Sequence, residues 1–302
     1  MKKKWFAAAL AGTLLAVLLL NGCASAQTAK RLRFGVAGEG GVYHAFGELY
    51  AALENETDNG TVELKTTAGS AANLRLLTGE YLQLAIAQGD LAQDAYDQTG
   101  IFADEEETRG FGAVAALYTE ACQIVVRADA DIQSVEDLQG KTVSIGAEES
   151  GSEQNALQIL AAYGLNDKLV DTVNLNYEDA AAQLKAGKVD AIFITAGAPS
   201  PVLTELAGEC GIRLLNVDGA AAQRLTSAYS AYSAVTLPAG TYPGQDTDVQ
   251  TVGVKAVLLA SDELPAKHGI PLDAEQDAVE GVGIPFHAGA AAYYKAAGIT
   301  VD

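Results

Sequence analysis

The sequence predicts an α/β protein built as two halves, each a parallel sheet wrapped by helices. Three observations carry this. Apolar runs of strand length alternate with stretches of helical spacing along most of the chain. The rhythm restarts near residue 120, so two halves of about a hundred residues each fit the 302-residue length. The strand-to-helix junctions repeatedly hold Gly, Ser, Thr and Ala, at the carboxyl edge where open α/β sheets bind ligands.

The elements follow in order. "RLRFGVAG" is a short apolar strand, and Val42, Ala45, Phe46, Leu49, Tyr50 and Leu53 then repeat at helical spacing. "TVELKTT", "LQLAIAQ" and "FGAVAALY" complete the first set of strands. "CQIVVRA" opens the second, followed by "KTVSIGA", "DTVNLNY", "DAIFITAG" and "IRLLNV". Helical stretches such as "SEQNALQILAAYG" and "YEDAAAQLKAGK" lie between them. No low-complexity linker separates the sets, so short hinge strands near residue 120 are expected to join them.

Composition sets limits. Hydrophobic residues make up 49% and charged residues 19%, an ordinary globular balance. The formal charge of −20 argues against nucleic acid, because no basic face is present to neutralise phosphates. The amino terminus reads as a leader. Lys2, Lys3 and Lys4 form a basic start, and Phe6 to Leu20 an apolar run too short for a comfortable membrane span. Leu20-Asn21-Gly22-Cys23 resembles a bacterial lipobox, in which the signal is cut before a cysteine that then carries lipid. Residues 1–22 are therefore expected to be a signal peptide and Cys23 a lipidation site. The protein would lie outside the cytoplasm, anchored to the outer face of the cytoplasmic membrane or periplasmic. A secretory cut near Ala24-Ser25-Ala26 with an incidental cysteine is the plainer alternative. No other segment is long and apolar enough to span a bilayer.

Cys122 and Cys210 lack metal-ligand spacing; a disulfide and two separate buried thiols both remain open. His44, His268 and His287 are scattered, which favours surface or capping roles. The run Asp104 to Glu107 reads as a solvated loop. No metal, cofactor or nucleic acid is expected, and a monomer is.

Candidate binding residues come from the small-residue junctions. "AGEGGVY" (37–43) supplies Gly40, Gly41 and Tyr43; "TAGSAAN" (67–73) supplies Ser70 and Asn73. "SIGAEESGSEQN" (144–155) supplies Ser150, Gly151, Ser152 and Asn155; "FITAGAPSP" (193–201) supplies Thr195, Ala196 and Gly197. Gln88 ends the third strand, and Tyr118 ends the fourth near the expected hinge. Helix starts expose unpaired N–H groups at a positive dipole end, and small residues let a ligand approach the backbone. The expectation is a small anionic group, which the resemblance below makes a carboxylate, held by backbone N–H groups with Ser70 on one side and Ser150, Ser152 and Thr195 on the other. Asn73 and Asn155 would orient the loops or touch the ligand, and Tyr43 would pack on its aliphatic part. Each loop alone is also an ordinary turn or N-cap. "GEGGVY" lacks the dinucleotide spacing, and no Walker pattern is present. "TYPGQD" (241–246) reads as a hinge turn or a cleft wall.

These motifs, in this order, resemble the solute-binding proteins of tripartite ATP-independent periplasmic (TRAP) transporters, TAXI branch, from about Leu32 to Ile299. "GEGGVYH" is similar to that family's Gly-Thr-Gly-Gly-x-Tyr-Tyr, and "AGSAANLRLLTGEYLQLAIAQGD" to its Ser-x-x-Asn-Leu-x-x-Leu and Leu-Ala-Ile-x-Gln-x-Asp. "ESGSEQNA" resembles Ser-Gly-Thr-Glu-x-Asn-Ala, "TAGAPS" resembles Thr-Ala-Gly-x-Pro-Asn, "LPAGTYPGQD" matches almost in full, and "IPFHAGAAAYYKAAG" resembles His-Pro-Gly-Ala-x-x-Tyr-Tyr. The resemblance implies a type II periplasmic-binding-protein fold, two α/β lobes joined by hinge strands with a ligand cleft between them. Lobe 1 would be residues 31–121 plus 263–302 and lobe 2 residues 122–262. It implies capture of a small carboxylate, such as glutamate or a related amino acid or dicarboxylate, for delivery to a TRAP membrane permease. Glu39, His44, Gly89 and Ser200 depart from the family pattern, and Glu39 would repel an anion or hold an amino group. A family helix between residues 261 and 284 is expected to be missing, since Gly269 and Pro271 interrupt that stretch. Two rivals stand beside this reading. One is a binding protein of an ATP-driven importer for a thiamine-precursor-like or sulfonate ligand. The other is an enzyme on the same fold, although no nucleophile elbow or zinc motif is present.

Overall fold

A computed structural model describes residues 31–56, 61–265 and 276–301. The expected leader (1–22), Cys23, His268, Gly269 and Pro271 lie outside the described residues.

The strands are β1 (Arg31–Gly35), β2 (Thr61–Lys65), β3 (Leu84–Gln88), β4 (Phe111–Arg127), β5 (Thr142–Ser144), β6 (Asp171–Val173), β7 (Ala191–Ala196), β8 (Ile212–Leu215), β9 (Ser233–Leu237) and β10 (Val249–Ser261). They form one sheet in the order β2-β1-β3-β10-β4-β7-β5-β6, with β8 beside β4 and β9 beside β10. The helices are α1 (Val42–Asn55), α2 (Ser70–Thr78), α3 (Gly89–Asp97), α4 (Gly151–Ala162), α5 (Tyr177–Lys185), α6 (Pro201–Cys210), α7 (Gly219–Ala228) and α8 (Ala288–Ala296).

The α/β class and its helix-wrapped sheet match the expectation; the parallel sheets do not. β1 pairs parallel with β3, and β5 with β6 and β7. The centre is antiparallel: β10 to β3 and β4, and β4 to β7. "FGAVAALY" and "CQIVVRA", expected as two strands, are the two ends of the 17-residue β4. The polar Thr119 and Glu120 between them interrupt the apolar run without ending the strand, because β10 pairs straight through them, Val254 with Glu120 and Lys255 with Thr119.

Both sheet faces are covered, which explains the near-continuous apolar runs. On β10, Val257 and Leu259 enter a cluster with Leu74, Leu77, Leu91 and Phe102, while Leu258 and Ala260 enter one with Phe34, Tyr50 and Ile86. In the second half, Phe193 packs with Ile124, Val126 and Ile159, whereas Ile192 and Ile194 pack with Val125, Leu203 and Leu206. This is strand alternation with a period of two. None of the four clusters mixes the halves. The cores change over between Tyr118 and Ala121 on β4 and between Val254 and Ala256 on β10. The return crossing thus lies inside β10, ahead of residue 262.

The remaining expectations resolve as follows. "TYPGQD" joins β9 to β10 within the second half and neither hinges the halves nor lines the main cavity. Tyr242 is buried there, and its hydroxyl accepts from Ser200 N at 2.8 Å and donates to Gln123 Oε1. His287 caps α8: its Nδ1 accepts from Gly289 N at 3.2 Å. Cys122 and Cys210 are free thiols, and burial pushes the Cys122 thiol up to about 12. In the acidic run, Glu105 pairs with Arg75 at 2.8 Å and its neighbours are exposed. Where the family helix was expected to be missing, the described residues hold only a 3₁₀ turn, Gln276–Val279.

Tyr242→Phe would strip a partner from both Ser200 N and Gln123 Oε1 inside the core. Removing one side of a buried hydrogen bond costs about 1–3 kcal/mol. Chemical denaturation is expected to show a loss of that size.

Candidate functional site

A cavity of about 320 Å³ lies where the loops of the two halves meet. The first half contributes 37–39 and 41–43, 66–70, Gln88 and Glu120; the second contributes Ala147, 150–152, 176–178, Thr195 and Ala196. Of the residues singled out in the sequence, Gly41, Tyr43, Ser70 and Gln88 are on its wall, and so are Ser150, Gly151, Ser152, Thr195 and Ala196. Gly40, Asn73, Tyr118, Asn155 and Gly197 are not.

Those five take other places. Gly40 has φ 77°, and a Cβ there would come within 2.9 Å of Glu178 Oε1. Asn73 is fully buried and ties its loop: Oδ1 accepts from Thr67 Oγ1 at 2.7 Å and Nδ2 donates to Ile86 O at 2.8 Å. Asn155 Nδ2 bridges the halves, donating to Asp90 Oδ2 at 2.9 Å and to Tyr232 OH at 2.7 Å. The Tyr118 ring lies beside Gly197.

The helix starts divide into two kinds. α1 begins after Gly41, α4 after Ser150 and α5 after Asn176, and their first residues line the cavity. First-turn N–H groups have no intrahelical acceptor, so these three ends bring donors and positive partial charge to one space. Ser150 and Asn176 are N-caps that accept from Glu153 N and Asp179 N. α2 is different. Its first-turn N–H groups, those of Ala71 and Ala72, donate to Glu149 O of the opposite half at 3.1 and 3.3 Å.

The bare sequence Ala68-Gly69-Ser70-Ala71 therefore has a reason other than ligand approach. A Cβ on Gly69 would sit 3.1 Å from Ser150 Cα, and one on Gly151 would sit 2.1 Å from Gln88 Oε1. Small residues let the two halves touch here. Glu149 holds a left-handed φ of 63°, which places its carbonyl at the end of α2. Its side chain also pairs with Arg75 at 2.8 Å.

The hydroxyls are largely engaged with the protein. Ser152 Oγ accepts from Thr195 N at 2.9 Å and lies 2.6 Å from Tyr177 OH. Tyr177 OH donates to Thr195 O at 2.8 Å, so the Ser152 proton goes to Tyr177 and none is left for a carboxylate. Thr195 Oγ1 donates to Cys122 Sγ at 3.6 Å. Ser70 Oγ accepts from Gln88 N at 3.1 Å and also hydrogen-bonds with the Tyr43 side chain.

Sequence reasoning missed the deepest group. Glu120 is 3% exposed, lines the cavity and accepts from Tyr43 OH at 2.6 Å. Burial pushes its carboxyl up to about 8, aided by the Asp90 charge and opposed by the Tyr43 hydrogen bond. Asp90 is itself pushed up to about 6 by burial. Asn176, Tyr177 and Glu178 were also missed. A lone Glu inside "ALYTEACQIVV" was the available clue, since buried strands seldom hold an acid without a task. Among the described residues the cavity wall carries Glu39, Glu120 and Glu178 and no Lys, Arg or His.

A family model described as the NMT1-like family matches residues 34–272. The chain belongs to the NMT1-like family. Solved structures place this NMT1-like chain in the periplasmic-binding-protein fold. It is similar to an ancestral arginine-binding protein bound to arginine, at 16% identity over 90% of this chain and 95% of that one, TM-score 0.50. A protein of Bordetella bronchiseptica RB50 matches at 15% identity over 76% and 64%, TM-score 0.51. The periplasmic aliphatic sulphonate binding protein SsuA of Escherichia coli matches at 20% identity over 76% of this chain and 65% of that one, TM-score 0.46. The NMT1-like chain thus spans just under two thirds of SsuA's length.

Gly151→Val in this family member would drive a side chain into the Gln88 amide and lift the 149–151 loop off α2. Calorimetry with the co-purified ligand is expected to show binding weaker by at least about tenfold, or ~1.4 kcal/mol.

Proposed function

We propose that this chain is the extracytoplasmic solute-binding subunit of a TRAP-type secondary transporter. It captures one small carboxylate-bearing solute as a monomer and delivers it to the membrane permease. The observation that carries the reading is the convergence of three helix N-termini, from α1, α4 and α5, on one cavity between two halves. Backbone N–H groups of Gly151 and Ser152 are the foremost carboxylate donors, with the Ser70 and Ser150 hydroxyls beside them. The TRAP branch rests on the ordered motifs from "GEGGVYH" to "IPFHAGAAAYYKAAG". An ATP-driven importer is the second reading, and the permease encoded beside the chain separates the two.

Of the expected lobes, 31–121 with 263–302 and 122–262, the later boundary is moved back into β10, between Val254 and Ala256, and the proposed motion is about β4 and β10 where the cores change over. Mass spectrometry of solute co-purified with the mature chain is the direct test. An intact carboxylate is expected; a converted product would favour an enzyme, and a ligand without a carboxylate would overturn the reading. Scattering is expected to give a smaller radius of gyration with that ligand than without, because hinge closure compacts the pair of lobes.

The proposed anchor is lipid on Cys23, argued from the "LNGC" end of the leader. Cys23→Ser is expected to move the protein from the membrane fraction to the soluble one. Retention in the membrane fraction would rule out the lipobox.

A further inference from the structure

We propose that the cavity selects a basic α-amino acid, one carboxylate with two cationic nitrogens, and disfavours dicarboxylates. This rests on the solute-binding reading above and names the class of solute. Two independent observations support it. The first is charge: among the described residues the wall carries Glu39, Glu120 and Glu178 and no cationic side chain. A second carboxylate on the ligand would meet side chains of like charge only, since Glu39 and Glu178 stand beside the ends of α1 and α5.

The second is an acceptor waiting for a donor. Gln88 is 2% exposed and lines the cavity, and its Oε1 is buried without a hydrogen-bond partner among the described residues. Such an oxygen costs free energy unless a ligand supplies an N–H. The Gln88 amide packs against Gly151, and Gln88 and Glu120 both line the cavity; two acceptors of this kind suit an ammonium, which has only donors. Glu39 and Glu178 are exposed at the rim, on the elements that enter α1 and start α5. They suit the distal cation of a long basic side chain, whose stem would lie along Val42 and Tyr177.

A proton leaves when the ammonium arrives. In the empty cleft the buried Glu120 is mostly protonated near pH 7. The ligand's ammonium keeps its own proton, the Glu120 carboxyl gives its proton to solvent, and an ion pair remains. Facing Glu120 are Tyr43 from α1, Asp90 from α3, Tyr177 from α5, and Tyr118 and Cys122 from β4 itself. The tyrosines and the cysteine are held neutral by burial through this range. Asp90 titrates about two units lower than Glu120. Affinity for a cationic ligand therefore rises as pH climbs towards about 8 and levels off above it.

Isothermal calorimetry on the mature chain tests this with lysine, arginine, alanine, glutamate and succinate, in buffers of different ionisation enthalpy at pH 7. The expected result is lysine or arginine binding at least about tenfold tighter than the other three, about 1.4 kcal/mol per decade, with close to one proton released. Glu120→Gln, which copies the protonated carboxyl and so leaves the fold intact, is expected to abolish the proton release and weaken lysine by more than about tenfold. Glu178→Gln, at an exposed position, is expected to weaken lysine several-fold and leave alanine unchanged. Glutamate, succinate or alanine binding as tightly as lysine would overturn the inference and leave the carboxylate-carrier reading standing. A co-purified ligand with no carboxylate would remove that reading as well.

Discussion

β4 pairs with β10 from Phe111 to Ala121 and with β7 from Ala121 to Val126, so one strand serves two cores that share no apolar cluster. Everything about the cleft follows from that constraint. Where the cores change over, the strand has no apolar partner on the cleft side, and a polar stretch, Thr119-Glu120, becomes tolerable. The cavity forms over this gap, with Glu120 at its floor. The register shifts between Ala256 and Val257 and between Leu258 and Leu259 lie just to one side. Such irregularities bend a strand pair and re-aim side chains without ending it.

The halves meet through polar and backbone contacts. Glu149 O covers the N–H groups of Ala71 and Ala72, Asn155 bridges to Asp90, and Arg75 bridges to Glu149. The Arg75–Glu149 pair is partly solvent-exposed, and exposed pairs contribute about 0–1 kcal/mol. Among the described residues no apolar cluster locks the halves together. The proposed closure is then a balance that a bound solute would tip through its differential affinity for the two states.

The α/β class was legible because strand and helix periods differ and both sheet faces are buried. The antiparallel centre was not, because strand direction is set by long-range pairing, which periodicity does not encode. Four cleft loops were legible in outline from their small residues. Their meaning was only half legible: at α1 and α4 the small residues open a helix end to the cavity, and at Gly69 they admit the opposite half. Ser152 illustrates the limit. Its hydroxyl reads as a ligand donor in sequence, yet its proton is committed to Tyr177, a residue 25 positions away that only the fold brings near. Glu120 was missed for the opposite reason: attention to helix starts passed over an acid in mid-strand.

In the proposed reading, Glu120 and the helix ends together set what kind of solute the cleft can hold. Dipole ends favour negative charge within about one turn, which suits a carboxylate near Gly151. Glu120 and the unpartnered Gln88 Oε1, both of residues that line the cavity, favour a donor. A simple anion would satisfy the first and leave the second unpaired; a simple amine would do the reverse. Only a ligand carrying both groups relieves both walls at once. The same reasoning explains why the floor is a carboxyl beside a tyrosine rather than a lysine. A protonated Glu120 bonded to Tyr43 is neutral when the cleft is empty and becomes a counter-charge when a cation enters. The buried site thus avoids an uncompensated charge in either state, which a lysine at that depth could not do for an ammonium ligand.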